Sequence, residues 1–203
     1  MAKRILVVVL LGIIACFLFR QAGSFLVINA PETADIIAVV CIGQNDSLYW
    51  SGVRLMQAGY APHLLLDVLA YHRTFEQPDM ELAQDFLNRT TPGQSTICPV
   101  AATSIYDEPR FLAKCLEGSG VKSVLLVASD YHSRLELSIM RKKLPQYHFS
   151  IYAAPDAFSF GERWWTNREW AKTTLAEWEG YLWWVLVERW QNLLGLCVRL
   201  PVR

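Results

Sequence analysis

Ser123-Val-Leu-Leu-Val-Ala-Ser-Asp-Tyr-His-Ser-Arg134 passes from an almost unbroken apolar run straight into a polar cluster. The apolar part reads as a strand buried on both faces, the signature of a parallel sheet. Tyr131 to Leu144 follows with helical spacing, and Pro145 ends it. A buried strand feeding a helix is half of a βαβ unit. Working outward, the same alternation recurs along the chain.

On the N-terminal side, Ala34–Ile42 and Pro62–Asp67 are apolar strand candidates, and Ser95–Val100 is a weaker third. Between them, Ser47–Gly59 carries helical spacing at Leu48, Val53, Leu55 and Met56. Met80–Leu87 does so at Leu82, Ala83, Phe86 and Leu87. Phe111, Leu112, Cys115 and Leu116 mark a further helix that Gly118 and Gly120 stop, and His148–Ala153 is the last strand. Five strands separated by helices predict an α/β fold: a Rossmann-like three-layer sandwich around a mainly parallel sheet. Ligands in such sheets sit beyond the carboxyl ends of the strands. That rule selects the loops at 43–46, 67–74, 101–108, 129–134 and 154–160.

The chain of 203 residues predicts one domain with appendages. Residues 1–29 read as anchor and linker, and 30–203 as the domain with a long aromatic C-terminal helix. The mean hydropathy is +0.20, and the apolar excess lies at the two ends. Lys plus Arg and Asp plus Glu are both 19, so the net charge is zero. No basic face for nucleic acid is expected. The cysteines show no CxxC and no metal-ligand spacing, and no HxH or HExxH occurs, so no metal site is expected. A Cys98–Cys115 disulfide is compatible with an oxidising compartment. No cofactor motif is present: the single glycine of Cys41-Ile-Gly-Gln-Asn-Asp46 makes neither GxGxxG nor a P-loop.

Lys3 and Arg4 precede an uncharged run from Ile5 to Phe19, closed by Arg20. Three readings stand: a retained signal anchor, a lipoprotein with its lipobox at Ile13-Ile14-Ala15-Cys16, and a buried core helix. The anchor reading predicts a single-pass protein of the cytoplasmic membrane, with its domain in the periplasm or outside the cell. Seven of the eight tryptophans lie between Trp164 and Trp190. The helix expected over 168–196 has two apolar faces from Tyr181 onward, which suits packing, a partner or the membrane surface.

The chemistry-bearing residues come from three loops. Asp130 and His132 are the candidate catalytic pair, with His132 as acid or base. Ser129 and Asp130 are also candidate helix caps, and Arg134 offers a two-pronged grip on an anion. Ser104 and Glu108 come from Ser104-Ile-Tyr-Asp-Glu-Pro-Arg110, where Asp107 reads as a cap. Asn45 is a candidate ligand contact or a cap.

The chain resembles the YdcF-like family of bacterial envelope proteins, which includes SanA and ElyC, from about Ala30 to Trp190. The resemblance rests on Ala34-Asp-Ile-Ile-Ala-Val-Val40, Ala58-Gly-Tyr-Ala-Pro62 and Thr103-Ser-Ile-Tyr-Asp-Glu108. Most of all it rests on Leu126-Val-Ala-Ser-Asp-Tyr-His-Ser-Arg134. It implies a Rossmann-like fold behind a membrane anchor, an envelope role, and a polar cluster at Asp130, His132, Arg134, Ser104 and Glu108. It supplies no reaction. Ile42-Gly-Gln-Asn45 and Asp67-Val-Leu-Ala70 stand where the family carries glycine-rich turns, which makes this a divergent member. The expected ligand is an anionic envelope metabolite, and the alternative is a catalytically silent interaction protein at the membrane.

Overall fold

Strand β1, Ile36–Val39, is the axis of the fold. All four of its residues are buried, so it needs neighbours on both edges and helices on both faces. The computed structural model describes residues 2–40, 46–74, 76–101 and 104–188. In it β1 pairs in parallel with β2 (Leu64–Leu69) on one side and with β6 (Ser123–Ser129) on the other. Beyond β2 lies β5 (Ser95–Val100), and beyond β6 lies β7 (His148–Ala154), giving the order β5-β2-β1-β6-β7. Every pairing in this sheet is parallel.

The helices divide between the faces as the strand alternation dictates. Ile37, Val39, Leu64, Leu66, Leu125 and Val127 point to one face. They are covered by α2 (Asp46–Gln57) and α3 (Asp79–Thr90), through Leu48, Val53, Ala83 and Leu87. Ile36, Ala38, Leu65, Val124, Leu126, Phe149 and Ile151 point to the other. They pack against α4 (Glu108–Leu116) and α5 (Ser133–Lys143), through Leu112, Leu116, Leu137 and Met140. The strand order therefore reverses between β1 and β6, and the crevice above that point is the natural ligand position. Gly59, at φ +83°, ends α2 as the sequence predicts. A small antiparallel hairpin, β3 (Arg73–Thr74) with β4 (Gln77–Pro78), fills the loop after β2 and was not expected.

The N-terminal helix α1 runs from Ala2 to Leu26, longer than the predicted span over 5–19. Its apolar side chains from Ile5 to Phe19 are exposed, which removes the reading of a buried core helix. At the other end α6 (Arg168–Trp183) continues into a π-helical turn, Trp184–Glu188; the remainder of the helix expected to 196 lies outside the described residues.

Cys98 of β5 and Cys115 of α4 form a disulfide, with Cα atoms 5.8 Å apart. Cys98 is fully buried and sits in register with Asp67 of β2, so the bond ties α4 to the sheet beside that carboxyl. Breaking it with Cys98→Ser is expected to cost about 2–4 kcal/mol. Thermal unfolding of the oxidised chain, its reduced form and the variant in detergent measures this. Equal midpoints for all three would show the bond to be dispensable.

Candidate functional site

Asp67 is the residue that organises the carboxyl end of the sheet. It occupies β2 within a run that is otherwise apolar, and only 1% of it is exposed. Being two residues after Leu65, its side chain points to the face covered by α4 and α5. Glu108, in the first turn of α4, and Glu136, in the first turn of α5, are brought over the same place and are equally buried. Both oxygens of Asp67, Oε1 of Glu108 and Oε1 of Glu136 find no hydrogen-bond donor. Burial holds all three protons on well above the usual carboxylate range. For Asp67 and Glu136 the neighbouring carboxyl charges add to it. Burial pushes Glu108 up to about 7, against the opposing pull of the His132 charge. Carboxyls buried beside one another cannot all be ionised, so at least one of Asp67 and Glu108 keeps its proton.

His132 joins this group to solvent. It closes the short 3-10 turn Asp130–His132 between β6 and α5. Its Nδ1 lies 2.7 Å from Oε2 of Glu177 on α6, and its Nε2 lies 3.7 Å from Oε2 of Glu136. About 30% of its side chain remains open. Burial would lower its pKa, but the Glu177 hydrogen bond and the Glu177 and Glu108 charges outweigh that, so the imidazolium is favoured. The outcome is a string from the rim at Glu177, through His132, to carboxyls with no other outlet.

The structure brings Glu108 and His132 together, as expected from the two loops. The other expected residues are placed differently. Asp130 does not orient the imidazole; Glu177 does. The Asp130 Oδ1 accepts the Tyr131 N–H at 2.9 Å and so holds its own turn. Burial raises its pKa, and backbone N–H bonds from Tyr131 and Asp156 pull against that. Ser129 makes no cap bond and hydrogen-bonds Tyr131 instead. Asp107 also makes no cap bond. The Ser104 hydroxyl accepts the Tyr106 N–H at 3.3 Å, a local turn rather than a site contact. Arg134 is spent elsewhere: its Nε donates to the Phe25 carbonyl, and its guanidinium lies 4.1 Å from the centre of the Phe25 ring. The Arg134 Nε is therefore not available to an anion. Asn45 lies outside the described residues.

Asp67, Glu136 and Glu177 were missed. Asp67 carried a signal, a charge inside a strand buried on both faces. Glu136 sits four residues after His132, the spacing of helix neighbours. Glu177 is brought in from 45 residues away, and no local pattern marks it. Among the described residues no group of three or more His, Cys, Asp and Glu side chains has the arrangement to hold a metal ion. Comparison with protein-family models, curated proteins and solved structures found no match. The likeness to the YdcF-like family therefore rests on the sequence strings alone.

The charge arrangement dictates an unusual pH response. Asp67, Glu108, Glu136, Asp130 and His132 all keep their protons to higher pH in the folded domain than unfolded. The folded state binds more protons as pH rises from the ordinary carboxylate range, so stability falls with rising pH. Glu108 contributes from its ordinary 4.5 to about 7. The His132 contribution is full below 6.5 and is lost above it. Asp35, whose bonds to Lys122 and Ser123 hold it below 3.8, acts with the opposite sign only in stronger acid. The unfolding midpoint in detergent is expected to be higher at pH 5 than at pH 8. Glu136→Gln is expected to flatten the slope and raise the midpoint at pH 8 by about 2–4 °C for each kcal/mol recovered. A midpoint that climbs from pH 5 to 8 would overturn this account of the cluster.

Proposed function

We propose that the chain is a membrane-anchored envelope protein of the YdcF-like kind, working on a small molecule by proton transfer at His132. The observation that carries this is the His132 side chain, part open to solvent, held by Glu177 and backed by three buried carboxyls at the carboxyl end of a parallel sheet. Structural roles do not require such an arrangement: three carboxyls without donors cost the fold stability, and apolar residues would fill the space at no such cost. Strongly shifted titratable groups gathered in a crevice mark functional sites.

Glu177 fixes the ring and favours the charged form, from which a proton can be given. Glu108, poised about neutral pH, is a second acid–base group behind it. The expected anionic ligand loses its main contact because Arg134 is engaged with Phe25. A hydroxyl, amine or protonated acid suits a carboxyl-rich site better than a phosphate does.

Topology belongs to the same proposal. Lys3 and Arg4 support an N-terminus inside by the positive-inside rule, and the Cys98–Cys115 bond suits an oxidising compartment outside it. The silent interaction protein is the second reading, favoured by the exposed Leu182, Trp183 and Leu186 of the C-terminal helix.

His132→Gln is expected to abolish the protein's function in cells that depend on it. It also costs about 1–3 kcal/mol, because Glu136 and Glu177 lose their partner; a solvated loop histidine would cost far less. Glu177→Gln is expected to retain partial function with a shifted pH dependence. Complementation of a deletion strain, with membrane location of each variant checked, measures both. Full rescue by folded His132→Gln would remove the proton-transfer reading and leave the interaction protein. A fluorescent reporter active only in the cytoplasm, fused after Arg203, is expected to stay dark; a bright intact fusion would reverse the topology.

A further inference from the structure

The end of α1 is built into the domain by a collar of aromatic rings. Phe19 packs against Trp164 and Trp165, with ring centres 4.6 Å and 5.9 Å apart. Phe25 stacks on Trp178 at 5.1 Å and meets Tyr181 edge-on at 5.5 Å. The Trp178 indole N–H donates to the Ala22 carbonyl at 2.9 Å. At Gly23 a Cβ would lie 2.6 Å from Trp164 Cδ1, so only glycine lets this ring close on the helix.

Lengths then fix where the collar sits. The uncharged run over 5–19 reaches about 22 Å as helix, short of a hydrocarbon core of roughly 30 Å. A bilayer entered at Ile5 therefore extends about five residues past Phe19, to the level of Ser24. That is the level of Trp164, Trp165 and Trp178. Arg20, 5.9 Å from the Trp165 ring centre, is positioned to snorkel along it.

Helix α6 meets α1 at this level, through Trp178 and Tyr181 against Ala22 and Phe25. Trp164 and Trp165 belong to the short turn before it. The sides of α6 are assigned at about 100° per residue. Trp178 and Tyr181 face α1. Glu177 and Trp184 face the body of the domain, through His132 and through a 2.8 Å bond from the Trp184 indole to Ser138. Leu175, Leu182 and Leu186 are open, with exposures of 62%, 46% and 68%, and Trp183 borders them at 51%; Leu182, Trp183 and Leu186 line a shallow groove beside Tyr106.

We propose that α6 is a second membrane contact: it lies on the bilayer beside the exit of α1 and sets Leu175, Leu182, Trp183 and Leu186 into the lipid interface. This rests on α1 being a membrane anchor. Lys172 and Glu179 interrupt the stripe and hold it at headgroup level rather than in the hydrocarbon. Tryptophan favours that level because its ring is apolar and its N–H polar. A second copy of the chain could also cover an apolar stripe, but only lipid is already present wherever α1 is inserted.

The full chain is reconstituted into phosphatidylcholine–phosphatidylglycerol vesicles carrying brominated acyl chains, and tryptophan emission is compared with Trp183→Phe and Trp50→Phe. The Trp183 share is expected to be quenched several-fold more by bromines near the headgroups than by those near the chain ends. The Trp50 share, from α2, is expected to be unaffected. An inserted, alkali-resistant chain whose Trp183 emission escapes quenching overturns the contact while leaving the anchor. Cross-linked dimers lost in Leu182→Lys, with the same absence of quenching, overturn it in favour of a second copy. A chain that does not insert overturns the anchor and the contact together.

Discussion

Three carboxyl groups taken out of water at one place cannot all be ionised. Asp67, Glu108 and Glu136 meet over the carboxyl end of the sheet, each almost completely buried. Isolated carboxylates there would cost several kcal/mol apiece, so the cluster keeps most of its protons and shares the charge that remains. Everything around it answers to that constraint. The β2 strand supplies one carboxyl from its interior, α4 and α5 deliver the others in their first turns, and the disulfide fixes α4 beside Asp67. Among the described residues His132 is the cationic group that reaches them, and Glu177 favours its charge.

Glu177 and Trp178 are consecutive residues of α6, and they face different parts of the molecule. Glu177 holds His132 at 2.7 Å, while Trp178 bonds the last turns of α1. The helix that holds His132 is thus the helix that grips α1. Arg134 repeats the link from the other side, because it follows His132 by two residues and donates to Phe25. A domain tethered through a flexible linker would need neither contact. Here the position of α1 and the orientation of the His132 ring are set through the same elements.

The sheet was legible because burial on both faces leaves a plain mark. Strands such as Ser123-Val-Leu-Leu-Val-Ala cannot be disguised, and the five predicted segments are the five strands. The helix stops at Gly59 and Pro145 were equally plain. Glu108 and His132 were read from position alone, since both follow carboxyl ends of strands. Arg134 was read as an anion grip from its chemistry; in the structure its Nε turns to the Phe25 carbonyl, because its neighbours are decided by where α1 ends. A sequence does not show that a helix 109 residues earlier returns to that point. Asp130 was misread for a subtler reason. A carboxylate at a strand end can bond its own turn or a histidine, and the N–H of Tyr131 is nearer in the chain.

Asp67 shows most clearly how such a site can be read from sequence in future. An acidic residue inside a buried parallel strand is either paired with a cation or holds a proton. Among the described residues its electrostatic neighbours are Glu108 and Glu136, and Glu136 in turn lies 3.7 Å from His132. The family's glycine-rich turn after the second strand would bring backbone N–H groups close to a ligand. This chain has Asp67-Val-Leu-Ala70 in that place, with Val68 buried and Ala70 bonded to Val100 across the strands. The backbone there is committed to the sheet and cannot cradle a phosphate. Losing that cradle and engaging Arg134 with Phe25 point the same way: both support the proposed proton-transfer site over one that grips an anion.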